Sequence, residues 1–123
     1  DKIGNESQQS ENSEIEQEAA IYLNASIVGL QARRSYVDSF VSGTSANLKR
    51  MNIASYPHAE VVGAIVKWTE QAVQDNGWNL CDEDGVAWFI GLYCKSYIAS
   101  MPFAETDYNT LFKECFIKYF EDK

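Results

Sequence analysis

The sequence predicts an all-α protein, a compact bundle of four to five helices, and three observations support this fold class. Apolar residues recur at spacings of three and four over several long segments. Both prolines, Pro57 and Pro102, fall between such segments. No segment carries a strand pattern of comparable quality. At 123 residues the chain suits one domain with a substantial core. We expect a flexible polar segment at 1–13 and a single helical domain at 14–123.

The first helical pattern runs from Glu14 to about Val41. Its apolar stripe contains Leu23, Ile27, Leu30, Val37 and Val41. Gly43 suits the end of this helix, because glycine tolerates the left-handed backbone that often follows a helix C-terminus. A short helix from Ser45 to Asn52 is expected next.

Pro57 suits the first turn of the following helix, where its missing N–H would be unpaired in any case. The apolar face of this helix contains Val61, Val62, Ile65, Val66, Thr69, Ala72 and Val73. Asn76 and Gly77 are expected to end it. A last helix, capped by Thr106 or Asp107, carries the stripe Tyr108, Leu111, Phe112, Cys115, Phe116, Tyr119 and Phe120.

The helix before the last should begin at the acidic residues 82–84, because a helix dipole favours negative charge at its N-terminus. Its apolar stripe contains Val86, Phe89, Ile90, Tyr93, Cys94, Tyr97, Ile98 and Met101. Trp88 and Leu92 lie outside this stripe, so the helix is apolar on more than one side. Such a helix is either central in the bundle or part of an interface.

The charge balance excludes some classes of partner. A net charge of −8 disfavours nucleic acid, which requires clustered Lys and Arg, and it disfavours anionic membranes. It suits a basic protein partner or simply a soluble acidic surface. No apolar run is long enough for a membrane span. The chain starts with a polar segment rather than with Met, which permits either an exported protein whose signal peptide has been removed or a trimmed sequence.

The sequence contains no recognisable catalytic motif: no P-loop, no dinucleotide-binding glycine fingerprint, no HExxH and no GxSxG. The lone histidine, His58, is expected at the surface. Pairing it with a cysteine nucleophile is the weaker alternative, because Cys94 and Cys115 lie on core-facing stripes. The spacing of the cysteines does not suit zinc. We therefore predict no catalytic residue, no metal site and no cofactor, and a binding protein rather than an enzyme.

The candidate partner-binding site is the loop from Asp75 to Asp84. It is long for a helical bundle and combines one large aromatic residue with amides and carboxylates. The residues assigned to the site are Asp75, Asn76, Trp78, Asn79, Asp82, Glu83 and Asp84. Trp78 would be the anchor, since Trp is frequent in binding hot spots. The alternative is structural: Trp78 folds back over the helix ends and the carboxylates cap the next helix.

A family resemblance gives this loop a specific role. The features that carry it are Cys81, Gly85-Val86, Tyr97, Pro102, the run from Leu111 to Phe120, and the upstream segment 36–43. Together these features resemble the pattern of small bacterial immunity proteins that protect cells against peptidoglycan amidases delivered by type VI secretion. This chain departs from the pattern where the acidic residues 82–84 replace a proline, and it lacks the family's upstream cysteine and a cysteine after Phe120.

The resemblance implies a periplasmic, all-helical, often dimeric protein without enzymatic activity. Such proteins occupy the active-site groove of the toxin with a protruding inter-helix loop, and the toxin is a cell-wall amidase that uses a Cys–His pair. The function expected on this basis is therefore that of an immunity protein, with the loop from Asp75 to Asp84 in the toxin's active site. A small helical carrier of an apolar ligand is the alternative.

Two structural expectations complete the prediction. Cys94 and Cys115 lie at similar distances from the turn between the last two helices, so we expect them to form a disulfide, which would stabilise the fold by about 3 kcal/mol. The alternative is a pair of reduced, buried thiols. We also expect a homodimer through the apolar surface of the helix from Val86 to Met101, with the leftover Cys81 near the symmetry axis.

Overall fold

Five α-helices and one turn of 3-10 helix form the fold in a computed structural model, which describes residues 2–76, 83–101 and 107–121, with side chains from Glu14 onward. The elements are α1 (Lys2–Ala32), α2 (Arg34–Arg50), the 3-10 turn (Ile53–Ser55), α3 (His58–Asp75), α4 (Glu83–Ser100) and α5 (Tyr108–Glu121). These described ranges contain no β-strand. The predicted all-α bundle is confirmed.

The helix α4 lies at the centre of the bundle, and each of the other four helices packs against it. Its buried side chains therefore point in several directions; they include Val86, Phe89, Ile90, Leu92, Cys94 and Tyr97. This central position explains the apolar residues on more than one side of α4. Because one chain already covers these faces, the reason for expecting a dimer through α4 is removed. The homodimer itself stays a prediction.

The core between α4, α5 and α3 is aromatic on the α5 side and β-branched on the α3 side. Phe112, Phe116 and Tyr119 of α5 are fully buried, as are Ile65 and Val73 of α3. Burying a side chain of this size stabilises the fold by about 1.5–3 kcal/mol. The rings of Phe112 and Phe116 stack at 6.0 Å between centroids. The stripes expected on these two helices are thus the faces that form the core.

The first half of the chain differs from the expected pattern. The helix predicted from Glu14 to Val41 is interrupted at Arg33, whose backbone (φ −109°, ψ 43°) is not helical. Gly43 does not end a helix, and the helix expected at 45–52 is instead the last part of α2. In the part of the chain that the structure describes, no neighbouring atom lies within 4 Å of the position that a Gly43 Cβ would occupy. Gly43 thus sits on an open helix face, where nothing forces the backbone to turn.

The ends of the helices agree better with the sequence. Pro57 directly precedes α3, and Asn76 follows it, donating its backbone N–H and its side-chain amide to the carbonyl oxygen of Ala72. Asp107 caps α5: its Oδ1 accepts the backbone N–H of Thr110 at 2.7 Å, and this bond lowers the pKa of the Asp107 carboxyl. Thr106, the other expected cap, and Pro102 lie outside the described residues.

The amino-terminal region extends the first helix. The described backbone of α1 begins at Lys2, so the segment 1–13, expected to be flexible, is helical from that residue on. The domain boundary at residue 14 stays a prediction. None of the helices described in the structure is both long and apolar enough to cross a membrane.

Candidate functional site

The structure shows the two ends of the predicted binding loop. Asp75 and Asn76 are exposed at the end of α3, while Glu83 and Asp84 form the first turn of α4. The other residues assigned to the site, Trp78, Asn79 and Asp82, lie outside the described residues together with Cys81. The ends of the loop carry three carboxylates, Asp75, Glu83 and Asp84.

The carboxyl end of the loop is attached to α1. Tyr22 shares a hydrogen bond with Glu83, and this bond, with burial and the nearby charges adding to it, raises the pKa of Tyr22 to about 12. The cause is that a phenolate beside a carboxylate would be repelled. Glu83 is partly buried and Asp84 is exposed. The two neighbouring acids therefore differ: Glu83 holds α4 against α1, and Asp84 faces solvent.

An open groove of about 560 Å³ lies beside this end of the loop, between α1 and the first half of α4. Its lining includes Tyr22, Ser26, Gly29, Arg33, Asp84 and Trp88. The groove has a carboxylate at one end and a guanidinium farther along, with aromatic and small residues between them. Its volume falls within the range of ordinary ligand and peptide sites.

Close packing next to this groove depends on Gly91 of α4. Ser26 of α1 and Tyr108 of α5 share a hydrogen bond at 2.8 Å between their hydroxyl oxygens. A Cβ on Gly91 would lie 2.1 Å from Ser26 Oγ and 2.7 Å from the Tyr108 hydroxyl. Any larger residue would therefore push this pair apart. The absence of a side chain on Gly91 therefore allows α1, α4 and α5 to meet at this hydrogen bond. Burial of the Tyr108 hydroxyl at this contact raises the pKa of Tyr108.

Trp88 forms the aromatic wall of the groove. The Arg33 guanidinium lies 5.2 Å from the Trp88 ring centroid. The Tyr36 ring stacks on the Trp88 ring, with 6.2 Å between the two centroids. A Cβ on Gly29 would come within 3.3 Å of the indole. The break between α1 and α2 at Arg33 thus coincides with the place where both helices contact Trp88.

Sequence reasoning missed this aromatic cluster. The sequence pattern places Trp88 outside the α4 stripe and assigns no packing role to Tyr36. The cluster continues through Phe40 to Tyr93 and Trp68, with centroid distances of 5.4 Å and 5.7 Å. The position of Trp88 outside the stripe was the signal that could have pointed to it.

The two described cysteines lie in the core. Cys94 and Cys115 are fully buried free thiols that hydrogen-bond each other. Burial, and to a lesser extent this hydrogen bond, raises the pKa of the Cys94 thiol well above its ordinary value. A thiol in this setting is a poor nucleophile. The structure thus brings the two residues together as predicted without the bond between them, and the disulfide stays a prediction.

The histidine is far more open than the thiols. His58 is exposed at the start of α3 and shares a hydrogen bond with the side chain of Glu114 of α5. Its exposed partner is a carboxylate rather than one of the buried sulfur atoms. Within the described ranges, no three His, Cys, Asp or Glu side chains are grouped so that they could hold a metal ion.

The chain matches no protein-family model, no curated protein and no solved structure. The resemblance to immunity proteins therefore rests on the sequence pattern alone.

Proposed function

We propose that the chain is a non-enzymatic immunity protein that binds and inhibits a secreted peptidoglycan amidase toxin. In this proposal the loop between α3 and α4 occupies the active site of the toxin, and the protein acts in the periplasm after removal of a signal peptide. The observation that carries the proposal is the construction of the loop's base: both ends are fixed by hydrogen bonds and both carry carboxylates.

Fixed ends favour binding by a loop. Asn76 holds the end of α3 and the Tyr22–Glu83 hydrogen bond holds the start of α4, so both ends of the loop are in place before binding. A loop with ordered ends loses less conformational entropy on association. Asp84, exposed at the edge, is placed to pair with a cationic group such as a catalytic histidinium and to speed association.

The central test replaces the aromatic anchor. Trp78→Ala should weaken binding to the partner amidase, sought as the product of a neighbouring gene, by about 2 kcal/mol or more, because buried Trp anchors often dominate binding energies. The melting temperature should change little. Calorimetric titration measures the affinity, and circular dichroism measures the melting. If Trp78→Ala unfolds the protein but the folded fraction binds with unchanged affinity, the loop is structural and the insertion mechanism is wrong.

A second test addresses charge. Asp82→Asn combined with Asp84→Asn, with Glu83 retained to hold Tyr22, should slow association and reduce its dependence on salt. The matched control neutralises two exposed acids elsewhere, Asp38 and Glu121, and leaves the net charge the same. Equal slowing in both variants would attribute the effect to net charge and contradict a role for the loop. Absence of any binding to the neighbouring gene product would refute the proposed partner.

One observation favours the alternative of a ligand carrier. A second open groove, of about 320 Å³ between α1, α4 and α5, has a mainly apolar lining with Ile27, Leu30, Ile98 and Tyr108. Its volume lies near the lower end for small-molecule sites. Native mass spectrometry distinguishes the functions, because a carrier should purify with an apolar molecule that Ile98→Asp abolishes. An immunity protein should instead appear ligand-free and form a complex with the amidase.

A further inference from the structure

The side of α1 that borders the groove beside α4 is apolar and exposed. Ile21 and Val28 are 63% and 64% exposed, the highest values among the large apolar side chains of the described residues. They lie seven residues apart, about two helical turns, so both project from the same side of α1. Ala25 and Ala32 share that side at spacings of three and four, and both line the groove. Ile21 and Val28 therefore form the outer edge of the groove.

The groove itself is lined mainly by small residues. Those with no side chain or a single methyl group are Ala25, Gly29, Ala32, Gly85 and Ala87. Trp88 is the large aromatic residue of the lining, and a Cβ on Gly29 would come within 3.3 Å of its indole. Small side chains allow another molecule to approach the two helices closely, while Trp88 on one side and the apolar outer edge on the other offer contacts to apolar side chains.

The backbone of the groove indicates which secondary structure fits it. Apart from the first turn of α4, both walls lie inside α-helices, where the N–H and carbonyl groups already bond within the helix. An extended segment would find no backbone partners there for its own polar groups, whereas a helix pairs them internally. Binding of the apolar face of an amphipathic helix in an apolar groove is a recurrent mode of recognition. The groove therefore suits a helix of another protein.

The charge at one end of the groove indicates the chemistry of that helix. Glu83 hydrogen-bonds Tyr22, and the carboxylates of Asp84 and Glu18 are close enough to the same hydroxyl to raise its pKa further. Glu18 lies one turn before Tyr22, on the face of α1 that lines the groove. Glu18 and Asp84 are exposed, one on each wall. This end therefore attracts a cationic side chain.

We propose that the groove between α1 and the first half of α4 binds a basic amphipathic helix of a partner protein. The apolar face of that helix packs along the groove, and its Lys or Arg residues lie beside Glu18 and Asp84. The net charge of −8 favours the approach of such a helix. Arg33 lies over Trp88, eleven residues after Tyr22. This separation is about 16 Å along α1, beyond the range of about 8 Å over which exposed charges act in physiological salt. The inference is independent of the proposed function, in which the partner contacts the loop.

The probe for this site is a synthetic helical peptide of Ala, Leu and Lys, with Leu at spacings of three and four and Lys in the first two turns. Titrated into the isotope-labelled full chain, it should change the NMR signals of the Ala25 and Gly29 amides. A peptide with Glu in place of Lys, and one with the same composition in scrambled order, should each bind at least about tenfold more weakly. Because the amidase takes no part, failure of this test leaves the proposed function standing.

Neutral substitutions test the apolar contacts without changing the net charge. Ile21→Gln with Val28→Gln should weaken binding of the Lys peptide by about tenfold or more, because the apolar outer edge is lost. Ala25→Phe should weaken it similarly by filling the groove. The control, Met51→Gln, changes an apolar residue of 45% exposure outside the groove, and the affinity should stay within about twofold of the wild type. Circular dichroism should show folded protein for every variant.

A second pair of variants tests the acidic end. Glu18→Gln with Asp84→Asn, with Glu83 retained, should weaken binding of the Lys peptide several-fold and reduce its dependence on salt. The control, Glu60→Gln with Asp38→Asn, removes the same charge at exposed positions outside the groove lining and should have a smaller effect.

Four results would overturn the proposal. They are equal weakening by the two charge variants, NMR changes away from the groove, no binding of the Lys peptide at millimolar concentration, and affinity that Ile21→Gln with Val28→Gln leaves unchanged. Light scattering adds a fifth: a wild-type dimer that Ala25→Phe dissociates would mean that a second copy of the chain occupies the groove.

Discussion

Replacing Gly91 by alanine should destabilise the protein, whereas the same change at Gly63 should stabilise it. Both glycines lie inside helices, where alanine is favoured over glycine by up to about 1 kcal/mol. The difference lies in their surroundings. No atom of the described neighbouring residues lies within 4 Å of a Cβ built on Gly63, while one built on Gly91 would lie 2.1 Å from Ser26 Oγ and 2.7 Å from the Tyr108 hydroxyl.

The cost at Gly91 has two parts. Forcing an extra methyl group into a packed site costs about 1–3 kcal/mol. Separating Ser26 from Tyr108 breaks their hydrogen bond, at about 1 kcal/mol. After the gain in helix propensity, Gly91→Ala should destabilise by about 1–3 kcal/mol, which lowers the melting temperature by roughly 4–12 °C for a chain of this size. Gly63→Ala should raise it by a few degrees.

Urea denaturation followed by circular dichroism, at one protein concentration for all variants, measures these differences. Ser26→Ala provides the internal check. It removes the oxygen at 2.1 Å and leaves the Ser26 Cβ, at an ordinary 3.5 Å from the added methyl group. In that background Gly91→Ala should cost less, because only the Tyr108 hydroxyl at 2.7 Å must still move, and the double-mutant cycle should show a coupling energy. If Gly91→Ala is as stable as Gly63→Ala, or if Ser26→Ala gives no relief, the inferred packing around Gly91 is wrong.

Three further predictions concern groups on which burial or hydrogen bonding acts. Among the described residues, the Oγ1 of Thr69 is buried and has no hydrogen-bond partner, so Thr69→Val should stabilise the fold by about 1 kcal/mol in urea denaturation; a lower midpoint would contradict this. Glu83→Gln should lower the pKa of Tyr22 from about 12 toward 10.0, as measured by tyrosine NMR titration. A raised pKa in the folded state makes the stability of the protein fall as the pH rises from 10.0 to about 12, so this variant should lose less stability over that range than the wild type. An unchanged Tyr22 pKa in the variant would exclude the Glu83 contact. If Cys94 and Cys115 form the expected disulfide, thiol titration of unfolded, unreduced protein should find one free thiol among the three cysteines, and finding three refutes the bond.

The fold class and the second half of the chain were predictable because their signals are local. The stripes on α4 and α5 follow the helix period, and Asp107 has the side chain that an N-cap requires. The break at Arg33 has no such signal, since neither glycine nor proline lies there. It occurs where Trp88 meets α1 and α2, which depends on residues about fifty positions apart. Gly43 misled for the converse reason, because glycine permits a helix end without requiring one.

The candidate site was predictable only in part. The sequence indicated an acidic loop between two helices, and its described ends do carry exposed carboxylates, Asp75 and Asp84. It did not indicate the groove beside that loop, because α1 and α4 contribute its lining from distant parts of the chain. Nor did it indicate that Glu83 is used to hold Tyr22. Contacts that form only through tertiary packing cannot be recognised from the periodicity of the sequence.

Because α4 comes late in the chain, a ribosome releases α1, α2 and α3 before the helix that they surround has been made. These three helices pack mainly on α4 and α5 rather than on one another, so the nascent chain has no closed core until about residue 100 has emerged. At roughly 5–20 residues per second, their apolar faces stay open for seconds. During that interval a chaperone can hold the chain, and a translocation channel can thread it, before α4 closes the bundle.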